Sequence, residues 1–203
     1  LLARSAGERA RGLTQALDLD PASIDLRLSA VEGLIFARDY ERAIRLADAA
    51  PAPETPEVLK RSLRFLAGAA QLEAGRYSEA SDTFGSLLRS RETAAALNNL
   101  GVARFRLRDP DASALFARGG SLTDRRQNDI SFNRALALLF EGRAEQALPA
   151  LDRSMEAAPG DAQVRLLRVW ALRLLNREAE RGEEWEKLMA LAPSFASLGN
   201  PDL

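Results

Sequence analysis

Carboxylate pairs are the first candidates for chemistry in this 203-residue chain, because it contains no Cys and no His. Their absence excludes disulfides, thiolate and imidazole metal sites, and Cys–His or Ser–His nucleophilic catalysis. Glu183 and Glu184 lie beside Arg181 and Lys187. This pattern is typical of a solvated, salt-paired helix face, in which each pair contributes about 0.2–0.5 kcal/mol. The acidic residues of "RDPD" at 108–111 are typical of a turn and a helix N-cap.

Glycine motifs give no sign of a nucleotide site. The only glycine pair, Gly119 and Gly120, follows a predicted helix and indicates its C-terminal end, not a phosphate loop. No Walker or dinucleotide-binding motif occurs. We therefore predict a non-enzymatic segment without catalytic, cofactor-binding or metal-binding residues.

The composition argues against a nucleic-acid partner and against a membrane-spanning segment. The chain is 46% hydrophobic and 28% charged with a net charge of −1, and it has no Lys/Arg block, so a nucleic-acid partner is not expected. No uninterrupted apolar run reaches the length of a membrane span.

The source of the chain is suggested by its basic residues. Lys60 and Lys187 are the only lysines among 28 basic residues, and this bias towards Arg, with abundant Ala, suggests a bacterial genome rich in GC. The start lacks Met and a signal-peptide layout, so we expect a fragment or a processed product, cytoplasmic or periplasmic.

The stretch "ALNNLGVARF" at 96–105 has the apolar spacing of a helix but carries three poor helix formers, Asn98, Asn99 and Gly101. Asn side chains compete for backbone hydrogen bonds, and a mid-helix Gly costs roughly 0.5–1 kcal/mol relative to Ala. These residues therefore need a reason beyond local helix propensity.

The sequence repeats with a period of 34 residues, and this repeat offers an explanation for the three poor helix formers. Pro159 and Pro193 are one period apart, as are Asn99 and Asn133. The phrases "ARDYERAIRLA", "EAGRYSEASDTF" and "FEGRAEQALPAL" also recur, each with a turn followed by an aromatic residue or Ala and then a small residue. Self-similarity at a fixed period is the signature of a repeat architecture.

The pattern resembles the tetratricopeptide repeat (TPR), a 34-residue unit of two antiparallel helices, A and B. The best match, 61–94, places its key residues at positions 8, 15, 17, 20 and 24 of the unit: Gly68, Gly75, Tyr77, Ala80 and Phe84. The resemblance implies an all-α, right-handed superhelical α-solenoid whose stacked repeats share a continuous core. It also implies that small residues at 8 and 20 let helices A and B approach, which accounts for Gly101 at position 8.

We predict a single array over 1–203 with about five and a half repeats. Its units are a half repeat at 1–21, then 24–57, 61–94, 94–127, 128–161 and 162–195, with a C-terminal tail at 196–203. The prolines of the insertion "APAPETPE" should end one helix and start the next. The turn "LRDPDA" is one residue short, which moves Ala112, Phe116 and Gly119 to positions 20, 24 and 27. No polar capping helix is evident after the last B helix.

The resemblance implies that A helices line a concave groove through positions 2, 5, 9, 12 and 13, with position 6 at its edge. Aromatic and aliphatic residues dominate that lining, which favours a groove for an apolar peptide or helix. The alternative is core packing against the next repeat, and we expect Phe65, Phe132 and Trp170 to be more exposed than Phe105 or Leu139. The predicted partner-binding residues are Phe65, Asn98, Asn99, Val102, Phe105, Arg106, Phe132, Asn133, Leu136, Phe140, Trp170 and Arg173.

The two asparagines at position 6, Asn99 and Asn133, have a role implied by the resemblance, which is to hydrogen-bond the backbone of an extended peptide. They could equally hold neighbouring helices together or be solvated. The carboxylate clamp of this superfamily, which binds acidic chaperone tails, is not expected. Of the residues at its positions (Phe65, Ala69, Asn99, Asp129 and Asn133) only Asn99 fits, and the cations are missing.

These features predict a protein–protein interaction scaffold. One alternative is a structural module that self-associates as a homo-oligomer, or belongs to a larger envelope, pilus or secretion protein. Another is the regulatory arm of an enzyme whose catalytic domain lies outside this chain.

Overall fold

A computed structural model of the chain describes residues 2–122 and 128–198, and these residues are almost entirely helical. The helices are α1 Leu2–Leu19, α2 Ile24–Phe36, α3 Tyr40–Asp48, α4 Glu57–Glu73, α5 Tyr77–Ser90, α6 Ala94–Arg106, α7 Ala112–Ser121, α8 Asn128–Phe140, α9 Ala144–Ala157, α10 Ala162–Leu174 and α11 Glu178–Leu191. After α1, the even-numbered helices are the A helices of the repeats and the odd-numbered helices are the B helices. A short 3₁₀ helix, Pro193–Leu198, packs on α11.

The helices form two compact units, residues 1–107 and 108–203. Within unit 1 each helix packs on the next, and α4 also contacts both α2 and α6. Within unit 2 the same holds, and α8 contacts α10. In the ranges that the structure describes, no such contact joins the B helices α3 and α5, or α9 and α11. Neighbouring A helices are therefore the closer-packed layer of each unit, and this layer carries the predicted binding residues.

Each A helix ends in a left-handed turn. The residue two positions after the helix has a positive φ in every case, with values of 61° at Arg38, 77° at Gly75, 60° at Arg108, 73° at Gly142 and 55° at Asn176. In unit 1 the Arg76 amide donates to the Gln71 carbonyl at 2.8 Å, the long-range bond of a Schellman motif. Glycine is the residue that tolerates this conformation without strain, yet three of the five turns do without it.

Close packing of helices A and B is clearest between Gly68 on α4 and Phe84 on α5. A Cβ atom added to Gly68 would lie 2.8 Å from Phe84 Cζ. The small residues Ala43, Ala80 and Ala147 are fully buried, and Gly101 is buried on α6. Small side chains at these contacts let a large ring fill the space beneath, as the repeat pattern implies.

The insertion between the first two full repeats lengthens a helix. Helix α4 begins at Glu57, directly after Pro56, and has 17 residues, whereas α3 has only nine and ends at Asp48. A proline just before the first helical residue is compatible with the helix start, because the first amides have no partner inside the helix.

The glycine pair does not mark the end of its helix as expected. Gly119 and Gly120 both lie inside α7, which continues to Ser121, and Gly119 is buried. Among the described glycines only Gly75 and Gly142 have a positive φ, so neither Gly119 nor Gly120 forms the left-handed C-terminal cap that a helix-ending glycine provides.

Helix α7 takes its N-terminal acceptor from a residue far along the chain. Its N-cap residue, Asp111, makes no side-chain cap bond. Instead the Ser113 amide donates to Glu141 Oε1 at 3.2 Å, and Ser113 Oγ donates to Glu141 Oε2 at 2.7 Å. Arg143 Nη1 donates to the same carboxylate at 2.9 Å. The Glu141 side chain, 12% exposed, thus joins α7 to the turn between α8 and α9.

We expect Glu141→Ala to lower the free energy of unfolding of unit 2 by about 1–2 kcal/mol, the range for loss of a helix cap. Urea denaturation followed by tryptophan fluorescence measures this, because both tryptophans, Trp170 and Trp185, lie in unit 2. Glu156→Ala is the matched control, since Glu156 is exposed on α9. Equal midpoints for the two variants would refute the capping role of Glu141.

Candidate functional site

Every A helix ends with an exposed side chain. These last residues are Phe36, Glu73, Arg106, Phe140 and Leu174. Phe36 is 74% exposed and Phe140 is 67% exposed. Exposed aromatic rings of this kind on a rigid helix indicate a contact surface when other apolar groups surround them.

In unit 1 the end of α2 borders a cleft of about 410 Å³. Its apolar lining comes from Ile35 and Phe36 on α2 and from Ala69 and Leu72 on α4, with Tyr40 at the start of α3. Phe36 is the exposed member of this set, whereas the others are half-buried. The cleft thus combines a partly covered apolar floor with one freely accessible ring.

Polar groups also line the cleft: Arg38 from the α2–α3 turn, Glu73 from the end of α4 and Asn99 from α6. Arg38 and Glu73 are both exposed. In the part of the chain that the structure describes, neither is joined to another charged side chain by an ion pair. Both charges are therefore available to a bound molecule.

The asparagines of α6 interact with each other. Asn98 Nδ2 donates to Asn99 Oδ1 at 3.4 Å, and both side chains are half-buried. Asn99 also lines the cleft. On the same helix Val102 and Phe105 are half-buried and Arg106 is exposed.

The Phe65 side chain is partly buried by packing against the core. Its ring lies edge-on to Phe84, with the ring centroids 5.5 Å apart and an interplanar angle of 73°. Because Phe84 is fully buried, Phe65 joins the α4 surface to the core below it. It offers a fixed and partly covered apolar surface.

In unit 2 the corresponding face centres on Phe140 and Trp170. Their rings meet edge to face with centroids 5.4 Å apart and an interplanar angle of 82°. Leu174, at 48% exposure, extends the face along α10. Phe132 and Trp170 also pack on the buried cluster of this unit.

The remaining predicted residues of unit 2 differ in exposure. Leu136 and Asn133 are half-buried on α8, and Arg173 is exposed on α10. Leu139 is only 3% exposed and belongs to the buried cluster of unit 2. Phe105 is half-buried like Phe65, Phe132 and Trp170, so the expected difference in exposure holds for Leu139 alone.

The predicted set is divided between the two units, each with its own face. Phe36, Arg38 and Tyr40 border the unit 1 cleft. Phe36 lies at position 13 of its unit, which the resemblance places in the groove lining, although it was not among the predicted partner-binding residues. Arg38 and Tyr40 could not be found that way, since they lie beyond the A helix and enter the cleft only because of the left-handed turn.

The carboxylate pair on α11 is not a uniformly solvated face, so that prediction was wrong for Glu184. Glu183 is exposed, whereas the Glu184 side chain is only 7% exposed and bonds Arg165 Nη1 on α10 at 2.5 Å. Arg168 Nε and Lys187 Nζ each lie 3.7 Å from Glu184 Oε2, and Arg168 also pairs with Asp152 on α9. The inward face of α11 buries this carboxylate because two arginines of α10 neutralise it.

Two kinds of feature are absent from residues 2–122 and 128–198. None of the helices there has both the length and the apolar character needed to cross a membrane. No group of three or more acidic side chains among them is placed to hold a metal ion.

The successive helix pairs, left-handed A-to-B turns and small residues at the A–B contacts define an all-α fold of the tetratricopeptide type. Solved structures confirm this fold. YrrB, described as a TPR protein with an unusual peptide-binding site, has a TM-score of 0.70 and 21% identity, covering 91% of this chain and 94% of YrrB. MamA has a TM-score of 0.70 and 16% identity, covering 89% and 97% of the two chains. A MamA structure designated AMB-1 has a TM-score of 0.71 and 16% identity, covering 84% and 97%. No protein-family profile and no curated protein sequence matches the chain.

Proposed function

We propose that this chain is a protein–protein interaction scaffold that binds a peptide or helix of a partner protein on the faces formed by its A helices. The observation that carries the proposal is the aromatic pair of unit 2. Phe140 remains 67% exposed although its ring packs against Trp170. Large exposed aromatic groups at the centre of an apolar face are typical of energetically important binding residues.

The geometry favours binding without large rearrangement. Edge-to-face contact restricts both rings, so less side-chain entropy is lost when a partner packs against them. In unit 1, the Asn99 amide offers both a donor and an acceptor to a peptide backbone. YrrB, which has the same fold, is described as having a peptide-binding site, and for this chain peptide binding is part of the proposal.

We expect Trp170→Ala to weaken the binding of apolar peptides to unit 2 by about 2 kcal/mol, which is roughly 30-fold, the loss typical of a binding hot spot. Suitable peptides are selected with the full chain from a phage-displayed library of random 12-residue peptides, and affinities are measured by fluorescence polarisation. Asn99→Ala is expected to weaken the binding of peptides at unit 1 by about 1 kcal/mol, which is the net contribution of one hydrogen bond.

Trp185→Ala is the matched control, because it removes the same side chain from helix α11, outside the proposed face. Circular dichroism checks that each variant remains folded. If Trp170→Ala and Asn99→Ala bind every selected peptide as tightly as the unaltered chain does, the A-helix faces are not the binding surface. Light scattering tests the self-association alternative. A mass that rises with concentration, and falls back in Phe140→Ser, would assign the unit 2 face to a second copy of this chain.

A further inference from the structure

We propose that the unit 1 cleft binds a linear peptide segment in which an apolar side chain is flanked by arginine or lysine. The inference rests on the proposed function and specifies the chemistry of its partner. It is carried by the shape of the cleft and by the charges around Phe36.

The apolar part of the site accepts the anchor of the peptide. Ile35, Ala69 and Leu72 form a half-buried floor beside the exposed ring of Phe36. The cleft volume of about 410 Å³ is near the lower end of the range for ligand pockets, about 300–1,000 Å³. It therefore suits one or two side chains of an extended segment and not a whole helix.

One carboxylate lines the cleft, and a second lies one helical turn from Phe36. Glu32 lies four residues before Phe36 on α2, so both project from the same helix face. Glu73 lines the cleft from the end of α4. Both are exposed, and in the ranges that the structure describes neither forms an ion pair. A cationic side chain of a partner can therefore reach them without displacing an existing pair.

Helix polarity adds to the negative potential. Helices α2 and α4 end at Phe36 and Glu73, so two helix C-termini border the cleft, against one N-terminus, that of α3 at Tyr40. The C-terminus of a helix carries a partial negative charge that favours a nearby cation. The exposed ring of Phe36 adds an electron-rich face on which a guanidinium or ammonium group can stack.

The positive charge of Arg38 counteracts the negative potential of the carboxylates and helix C-termini. It lines the same cleft from the α2–α3 turn and is exposed. Two carboxylates outweigh one guanidinium, and two helix C-termini outnumber the single N-terminus of α3, so the balance favours a basic ligand. Removing Arg38 should then strengthen binding of that ligand, an effect opposite in sign to removal of the carboxylates.

The test uses random 12-residue phage-displayed peptides selected with the full chain. Peptides whose binding is lost with Phe36→Ser are assigned to the cleft. We expect these to be enriched in an apolar residue next to arginine or lysine. Glu32→Gln/Glu73→Gln should weaken their binding about five- to tenfold, as expected for two partly screened ion pairs, and should reduce the dependence of affinity on salt. Arg38→Gln should tighten binding about twofold.

Glu183→Gln/Glu186→Gln is the matched control, since it removes two exposed carboxylates from α11 and should leave these affinities unchanged. If Phe36-dependent peptides lack basic residues, or bind Glu32→Gln/Glu73→Gln as tightly as the unaltered chain, the charge preference is wrong while the scaffold function stands. If no selected peptide depends on Phe36, the cleft is not a peptide site and the inference falls. The Trp170→Ala measurement then decides the proposed function separately.

Discussion

Replacing Phe84 by alanine lowers the free energy of unfolding of unit 1 by about 3–5 kcal/mol, the range for a fully buried phenylalanine. Phe84 is 0% exposed, and its ring lies against Gly68 and Phe65. The substitution removes apolar contacts and leaves a cavity between α4 and α5. Hydrogen exchange of the α4 and α5 amides measures the loss locally, as faster exchange throughout both helices.

The contact with Gly68 gives a sharper test of the same packing. Gly68→Ala should cost about 1–3 kcal/mol by overpacking, although Ala is the better helix former by about 1 kcal/mol, because the new Cβ would lie 2.8 Å from Phe84 Cζ. Adding Phe84→Leu to Gly68→Ala should recover part of this loss, because the smaller side chain makes room. Gly85→Ala is the control, since a Cβ placed there would meet no atom within 4 Å beyond the neighbouring backbone of its own helix. If Gly68→Ala and Gly85→Ala have the same effect, the close A–B contact does not control stability.

Replacing Glu184 by alanine lowers the free energy of unfolding of unit 2 by about 3 kcal/mol, because removal of one partner leaves a largely covered charge uncompensated. Arg165 and Arg168, each with a side chain 22% exposed, would lose their shared carboxylate. Urea denaturation followed by tryptophan fluorescence reports the shift in midpoint.

The neighbouring residue provides the control for Glu184. Glu183 is exposed, and Glu183→Ala should change stability by less than about 0.5 kcal/mol, as surface substitutions usually do. The stability lost in Glu184→Gln should lie between the losses in Glu183→Ala and Glu184→Ala, because the amide still accepts a hydrogen bond but carries no charge. Similar midpoints for Glu183→Ala and Glu184→Ala would mean that the contacts with Arg165 and Arg168 contribute little.

Much of the fold follows from local sequence patterns. Gly68, Ala80 and Phe84 lie at the spacing that the helix-pair geometry demands, so their packing is predictable from residue type and position in the repeat. The turns at Arg38, Arg108 and Asn176 adopt the left-handed conformation without glycine, so residue type alone would not reveal them. At Arg38 and Asn176 the turn is held by a Schellman hydrogen bond, from the Asp39 amide to the Leu34 carbonyl at 2.9 Å and from the Arg177 amide to the Leu172 carbonyl at 3.0 Å.

The candidate site was predictable only in part. The A-helix register identified Phe140 and Trp170, whose pairing the structure describes. The cleft beside Phe36 depends on three helices and a turn, and such a cavity has no signature in a 34-residue period. The burial of Glu184 likewise depends on Arg165, 19 residues earlier on another helix. Exposure and charge pairing between helices are properties of the assembled packing, and the repeat register does not encode them.

The contact between Glu141 and Ser113 has a consequence for how the chain folds during synthesis. Helices α2, α3, α6 and α10 are capped by the residue that directly precedes each of them: Ser23, Asp39, Thr93 and Asp161. Helix α7 receives its acceptor from a residue 28 positions after Ser113. At about 5–20 residues per second, this delay on the ribosome is about 1–6 s. During that time the nascent α7 has neither its cap from Glu141 nor the packing of α8, so its first turn is completed only after the residues that follow it have been made.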